Sequence, residues 1–314
     1  MTEKPKDRVP GPGTAPATGG IATENTACGN REGTAGCSAG GKDGGPILPP
    51  NGREDARRRD QLENLLSHAL KNDRFLIYYQ PLYTVSDGKF TEAEALLRLK
   101  DADGKFVPPD EFIPVAERSG LIVDIGGMVL DKVCRYIREL LSCRVDIDSI
   151  SVNLSVVQLM QDDVVERLLG IIRRNGISPN RIVLEVTEST LISNYAVVGE
   201  KIRRLSAAGI QFALDDFGTG YSNITNVIDL PFDGIKLDKS LIWDSVVNER
   251  CSVMIRDLTR TFKNISLGVT AEGVETQAHD RFARLCGCDK IQGYRYAKPL
   301  PVSQAGDFFG RRAI

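Results

Sequence analysis

Acidic and amide side chains, with one lysine, close a series of short apolar runs in this 314-residue chain. "ISVN" ends on Asn153, "IVLE" on Glu185, "FALDD" on Asp215 and Asp216, and "GIK" on Lys236. "VTAEGVE" carries Glu272 and Glu275, and "KIQ" ends on Gln292. Carboxylates grouped with an amide suit hard, oxygen-seeking cations, so magnesium and manganese are the natural occupants. Two such ions about 3.5 to 4 Å apart stabilise the attacking and leaving oxygens of a phosphate-ester displacement, which makes phosphodiester hydrolysis the leading chemistry. The neighbouring Asp215 and Asp216 pose a question of their own. Successive strand side chains point to opposite faces, and two crowded carboxylates raise one pKa strongly unless a cation joins them. Taken singly, each of these residues has a structural explanation as a helix cap, a turn residue or a solvated charge. Their convergence at the ends of several strands is what points to a site.

Other chemistries are disfavoured by what the chain lacks. Its two histidines, His68 and His279, lie in helical segments and read as ordinary helix-surface residues, which argues against a histidine triad or a zinc hydrolase. The seven cysteines include no paired CxxC spacing with nearby histidines, so they read as scattered reduced thiols of a cytosolic protein. A net charge of -2 argues against a polymeric nucleic acid held by an excess of Lys and Arg. The opening "MTEKPKDRVPGPG" lacks an apolar signal segment. No apolar run approaches the ~20 residues that span a bilayer, so the expectation is a soluble, cytoplasmic chain.

The elements that must position these residues follow a rhythm. Apolar runs at "FLIYYQPLYTV", "FTEAEALLRL", "SISVNLS", "RIVLEVTES", "IQFALDDF", "DGIKLD", "LGVTAEGV" and "KIQGY" alternate, for the most part, with longer amphipathic segments such as 156–176 and 195–209. Strands alternating with helices imply βαβ units and a parallel sheet. Eight candidate strands predict an α/β fold, a TIM-like (β/α)8 barrel, with a doubly wound open sheet as the alternative. The short "SDG" at 86–88 has hairpin chemistry, so the first strand should run antiparallel to the second. In such a barrel the active site is built at the C-terminal ends of the strands, where the polar residues above fall.

Residues 1–52 are rich in Gly, Pro, Ala and Thr and hold no aromatic residue, so they read as a disordered tail that includes Cys28 and Cys37. The folded domain is expected over 54–314. It opens with an amphipathic helix over 54–72 carrying Leu62, Leu65, Leu66, Ala69 and Leu70 on one face, with Arg57, Arg58 and Arg59 as a solvated stretch before it.

Taken together, "AEALLR" (93–98), "SVNLS" (151–155), "LEVTES" (184–189), "LDDFGTGYSN" (214–223), "IKLD" (235–238), "AEGVET" (271–276) and "QGYRYAKPL" (292–300) resemble, in order and wording, the EAL family of cyclic di-GMP phosphodiesterases. The likeness runs from about Leu62 to about Phe309. It implies a barrel with an antiparallel first strand, two magnesium or manganese ions, and hydrolysis of cyclic di-GMP to its linear dinucleotide. By the same likeness Glu94, Asn153, Glu185 and Asp215 would hold one ion, and Asp215, Asp216 and Glu272 the other. Lys236 and Glu272 would lie beside the attacking water, with the principal base left open between them; Glu275 matches a further active-site position. Arg98, Gln292, Gln80 and Pro299 would contact the substrate. Glu188 with Gly218 and Gly220 would couple the metal site to a homodimer, and an unidentified regulatory protein is a further expected partner. Asn223, Ile224 and Leu99 depart from the residues the family more often shows. Two rivals are an EAL-like module that binds without hydrolysing, and a metal-dependent barrel enzyme of another class, such as an enolase-like lyase.

Overall fold

A computed structural model describes residues 50–219 and 224–309, within the unit that runs from Leu48 to Ile314. Gly220, Asn223, Cys28, Cys37 and the expected tail before Pro50 lie outside the described residues. The first helix is Pro50–Lys71, so it begins a turn earlier than the leucine stripe suggested. Its apolar face packs inward through Leu62, Leu66 and Ala69, all buried. Burying each leucine contributes on the order of 2 kcal/mol.

Eight strands close a barrel: β1 (Leu76–Thr84), β2 (Lys89–Lys100), β3 (Ser149–Asn153), β4 (Ile182–Thr187), β5 (Gln211–Phe217), β6 (Gly234–Leu237), β7 (Gly268–Ala271) and β8 (Lys290–Ile291). Neighbours from β2 through β8 pair in parallel, whereas β1 is antiparallel to both β2 and β8 and completes the circle. All eight expected runs are therefore strands, and the closed barrel displaces the open-sheet alternative. A two-residue strand, Leu300–Pro301, pairs outside the ring with β1.

Alternation along the strands sorts the side chains. On β3, Ile150 and Val152 are buried in the core between sheet and helices, while Ser151 lines the barrel interior. On β4, Ile182, Leu184 and Val186 form the apolar set, while Val183 and Glu185 line the interior. Helices Ile122–Ser142 and Val164–Asn175 bury Ile125, Leu130, Val133, Leu168 and Ile172 in this outer layer. The wall is thus held by apolar contacts from outside, which leaves the inner face free for polar groups at the strand ends.

Candidate active site

The inner polar residues meet around Lys236 of β6. Its side chain is buried, and its Nζ lies 2.8 Å from Glu272, 3.0 Å from Glu185, 3.0 Å from Asp215 and 3.5 Å from Glu94. Strand register accounts for the meeting. Asn153 pairs with Glu185 across β3 and β4, and Glu185 pairs with Ala213 across β4 and β5. Asp215, two residues beyond Ala213, faces the same interior one layer further on.

Asp216 breaks the alternation in a defined way. It has φ 54°, in the left-handed region that a side chain other than glycine rarely adopts. At this point β5 advances from Leu214 to Phe217 while β6 advances only from Ile235 to Leu237, so one extra residue bulges. The bulge keeps both aspartates at one site. Asp215, Asp216 and Glu272 form one group of carboxylates whose oxygens lie within 4.8 Å of one another, and Glu94, Glu185 and Asp215 form a second. Asp215 belongs to both.

Around this cluster stands a set of hydrogen bonds donated by side-chain amides. Asn153 donates its Nδ2–H to Glu94 Oε1 at 2.9 Å, and Gln292 donates its Nε2–H to Glu94 Oε2 at 2.7 Å and to Gln80 Oε1 at 3.2 Å. Gln80 in turn donates to the carbonyl of Ala297 at 3.1 Å. Among the described residues Gln292 Oε1 is buried without a hydrogen-bond partner. Backbone bonds hold the carriers in place: Glu272 N–H donates to Leu237 O, Gln292 N–H to Ala271 O, and Leu154 N–H to Glu185 O.

Charge is out of balance here. Burial pushes the Glu185 carboxyl well above its ordinary range, against the pull of Lys236. Burial likewise lifts Glu272 to about 8 against Lys236, with Asp215 adding to the rise, and lifts Asp216 to about 6 with Asp215 again contributing. For Glu94 burial is outweighed by Lys236 and by the bonds from Gln292 and Asn153, so that its carboxyl stays below the ordinary range. Burial alone would push the Lys236 ammonium towards neutrality; Asp215, Glu185, Glu272 and Glu94 outweigh it and hold its pKa well up. Five carboxylates around a single ammonium leave an oxygen-donor set short of positive charge, which fits divalent cations.

The other expected site residues fall into place less uniformly. Arg98, half-buried at the C-terminal end of β2, donates to the Leu97 carbonyl at 2.9 Å and lies over the Tyr78 ring. Glu188 is buried and accepts from the Gly218 N–H at 3.3 Å, which ties the turn after Asp216 to the helix Glu188–Ser193. Pro299 is half-buried beside the Leu300–Pro301 strand. The Glu275 side chain is exposed and belongs to neither carboxylate group. His279 departs from the surface role expected of it: its ring is half-buried and stacked on Trp243, and its Nδ1 accepts from the Glu275 N–H at 3.4 Å. No sequence signal singled out Trp243, whose only distinction there is to be the chain's one tryptophan.

Comparison with known proteins covers most of the chain. The EAL domain family matches residues 63–299. The signaling protein YkoW of Bacillus subtilis is 35% identical over 246 residues, 78% of this chain and 31% of that protein. MucR of Pseudomonas aeruginosa, described as a bifunctional diguanylate cyclase/cyclic di-GMP phosphodiesterase, is 32% identical over 264 residues, 84% of this chain and 38% of its own length. The chain thus spans about a third of the length of these curated relatives. Among solved structures, the PaMucR phosphodiesterase in complex with c-di-GMP superposes with a TM-score of 0.73 at 33% identity, covering 78% of this chain and 99% of that one. Among the described residues no helix is long and apolar enough to cross a membrane.

Proposed function

From the chain's membership of the EAL domain family, we propose that it is a metal-dependent phosphodiesterase that hydrolyses cyclic di-GMP to the linear dinucleotide 5'-phosphoguanylyl-guanosine, lowering the level of that second messenger. The observation that carries the reading is the convergence of Glu94, Glu185, Asp215 and Glu272 on Lys236, with Asp216 alongside. Glu94, Asn153, Glu185 and Asp215 would hold one divalent cation, and Asp215, Asp216 and Glu272 a second, magnesium or manganese. Bound there, the pair would acidify water and offset phosphate charge.

The chain's own groups then have distinct tasks. Arg98 presents a planar fork to the phosphate oxygens, while Gln80, Gln292 and Pro299 line the substrate. Glu272, or Lys236 once it has shed its own proton, takes the proton from the attacking water, and as an ammonium among carboxylates the lysine instead steadies developing negative charge. The bond from water oxygen to phosphorus forms as the bond from phosphorus to the 3' oxygen breaks, and the departing 3' oxygen takes up a proton from solvent. The product keeps a 5' phosphate and gains a 3' hydroxyl. Glu275, exposed on the same loop as Glu272, is carried as a further active-site position by family likeness alone. The reading extends to a cytoplasmic homodimer under a regulatory partner, with Glu188, Gly218 and Gly220 linking metal site and dimer contact.

The test is incubation of the purified chain with cyclic di-GMP and magnesium, followed by chromatography of the products, beside Glu272→Ala and Asp216→Asn. Linear dinucleotide from the wild type and none from the variants is expected. Binding without any linear product would leave a receptor in place of the enzyme.

A further inference from the structure

The group formed by Asp215, Asp216 and Glu272 is carried by two tight turns, and both rest on one helix, Lys239–Val247. The turn after Asp216 passes Gly218, where φ is 102° and an added Cβ would lie 2.4 Å from the Leu241 side chain. The turn after Glu272 passes Gly273, where φ is 62° and an added Cβ would lie 2.2 Å from Lys239 Cβ. Only glycine allows either approach. The helix is itself fixed to the end of β6, because Asp238 caps it by accepting from the Ser240 N–H at 2.9 Å.

Trp243 fastens the second turn. Its indole Nε1–H donates to the Gly273 carbonyl at 2.7 Å, one peptide from Glu272. Its ring lies against His279 with centroids 6.0 Å apart and planes 21° from parallel. His279 belongs to the helix that follows the Glu272–Glu275 loop, Gln277–Cys286, and its own N–H is held by the Thr276 hydroxyl at 3.2 Å. Its Nδ1 accepts from Glu275 N–H, so the Glu272–Glu275 loop is gripped at Gly273 from one helix and at Glu275 from the other. Neither grip uses a carboxylate, and both leave the acid of Glu272 free to face Lys236 at 2.8 Å.

We propose that Trp243 and His279 form a clamp of positioning residues that sets Glu272 for the second cation, and that the emission of Trp243 reports occupancy of that site. The proposal rests on the reading of Asp215, Asp216 and Glu272 as cation ligands. The clamp acts through the loop backbone and touches neither the substrate nor the reacting atoms. It therefore governs how well Glu272 is presented, and it leaves substrate binding by Arg98 and Gln292 alone.

The experiment uses the whole metal-free chain and magnesium chloride as the probe. Because this is the single tryptophan, its emission is read without background from others. Magnesium is expected to change the emission saturably in the wild type, with the midpoint seen by calorimetry, and to leave it unchanged in Asp216→Asn. Trp243→Phe keeps a ring beside His279 but removes the donor, so calorimetric magnesium affinity should fall about three- to tenfold, the worth of one neutral hydrogen bond. With cyclic di-GMP, the same variant should lower kcat at saturating substrate while KM stays within about twofold. Magnesium heat without an emission change, or unchanged affinity in Trp243→Phe, would overturn the clamp while the proposed function stands. No magnesium heat in the wild type would overturn both.

Discussion

Replacing Lys236 with methionine removes the cation from the centre of the acid cluster and keeps most of the buried stem. The ammonium faces four carboxylates at 2.8 to 3.5 Å. A unit charge pair at 4 Å is worth about 4 kcal/mol at an effective dielectric of 20, and desolvation consumes several kcal/mol per buried ion. Breaking such a buried arrangement from one side leaves a net loss of about 3 to 5 kcal/mol. For a domain of this size each kcal/mol moves the melting temperature by about 2 to 4 °C, so Lys236→Met should melt roughly 6 to 20 °C lower in EDTA at pH 8. The deficit should shrink on acidification, as the carboxylates accept protons in place of the lost ammonium. It should also shrink on adding magnesium, which supplies the missing charge. Paired thermal melts with EDTA and with magnesium measure both effects. A loss under about 1 kcal/mol in EDTA, or a loss that magnesium does not reduce, would refute the argument that Lys236 stands in for metal charge.

Three further outcomes follow from the same cluster. Glu272 and Asp216 have folded-state pKa values raised to about 8 and about 6. Their contribution to stability is therefore full below the unfolded carboxyl range, near pH 4, and is lost as pH rises towards 8. Metal-free wild type should accordingly lose stability across that window in melts, and magnesium should reverse the trend while releasing protons, read as a pH drop in weakly buffered solution. Asp216→Asn removes the like charge beside Asp215 and suits the left-handed backbone, so in EDTA at pH 8 it should be more stable than wild type by about 1 kcal/mol after allowance for screening, read as a higher melting temperature. That gain should vanish near pH 4. Gly273→Ala places a Cβ 2.2 Å from Lys239 Cβ at φ 62°, and should cost about 2 to 4 kcal/mol in urea unfolding from combined strain and overpacking.

The strands and the polar ends they carry were legible in the sequence because alternation and turn chemistry are local. The barrel's antiparallel opening could likewise be read from "SDG" between two apolar runs, and β1 does pair antiparallel with β2. How Asp215 and Asp216 share one site was not legible, since it depends on a left-handed φ and a register offset against β6 that no side-chain pattern announces. From the residues alone Lys236 read as a strand-end lysine, and the family likeness set it beside Glu272; its contact with Glu94, Glu185 and Asp215 as well comes from closure of the ring. Trp243 and His279 were missed for a similar reason. They lie on two helices separated in the chain by the helix Glu249–Asn264 and by β7, and only packing brings the rings together beside the Glu272–Glu275 loop; periodicity places a residue on a helix face without naming what that face meets. Glu275 shows the converse. Its motif is plain in the chain, yet its carboxylate is exposed and apart from both acid groups.

Hydrolysis in water enriched in oxygen-18 tests the central claim most directly. With cyclic di-GMP and magnesium, the account predicts linear 5'-phosphoguanylyl-guanosine carrying one heavy oxygen, located by mass spectrometry on the terminal 5' phosphate, and no such product from Glu272→Ala. Linear product without the heavy oxygen, or intact cyclic di-GMP after prolonged incubation of magnesium-loaded protein, would contradict it.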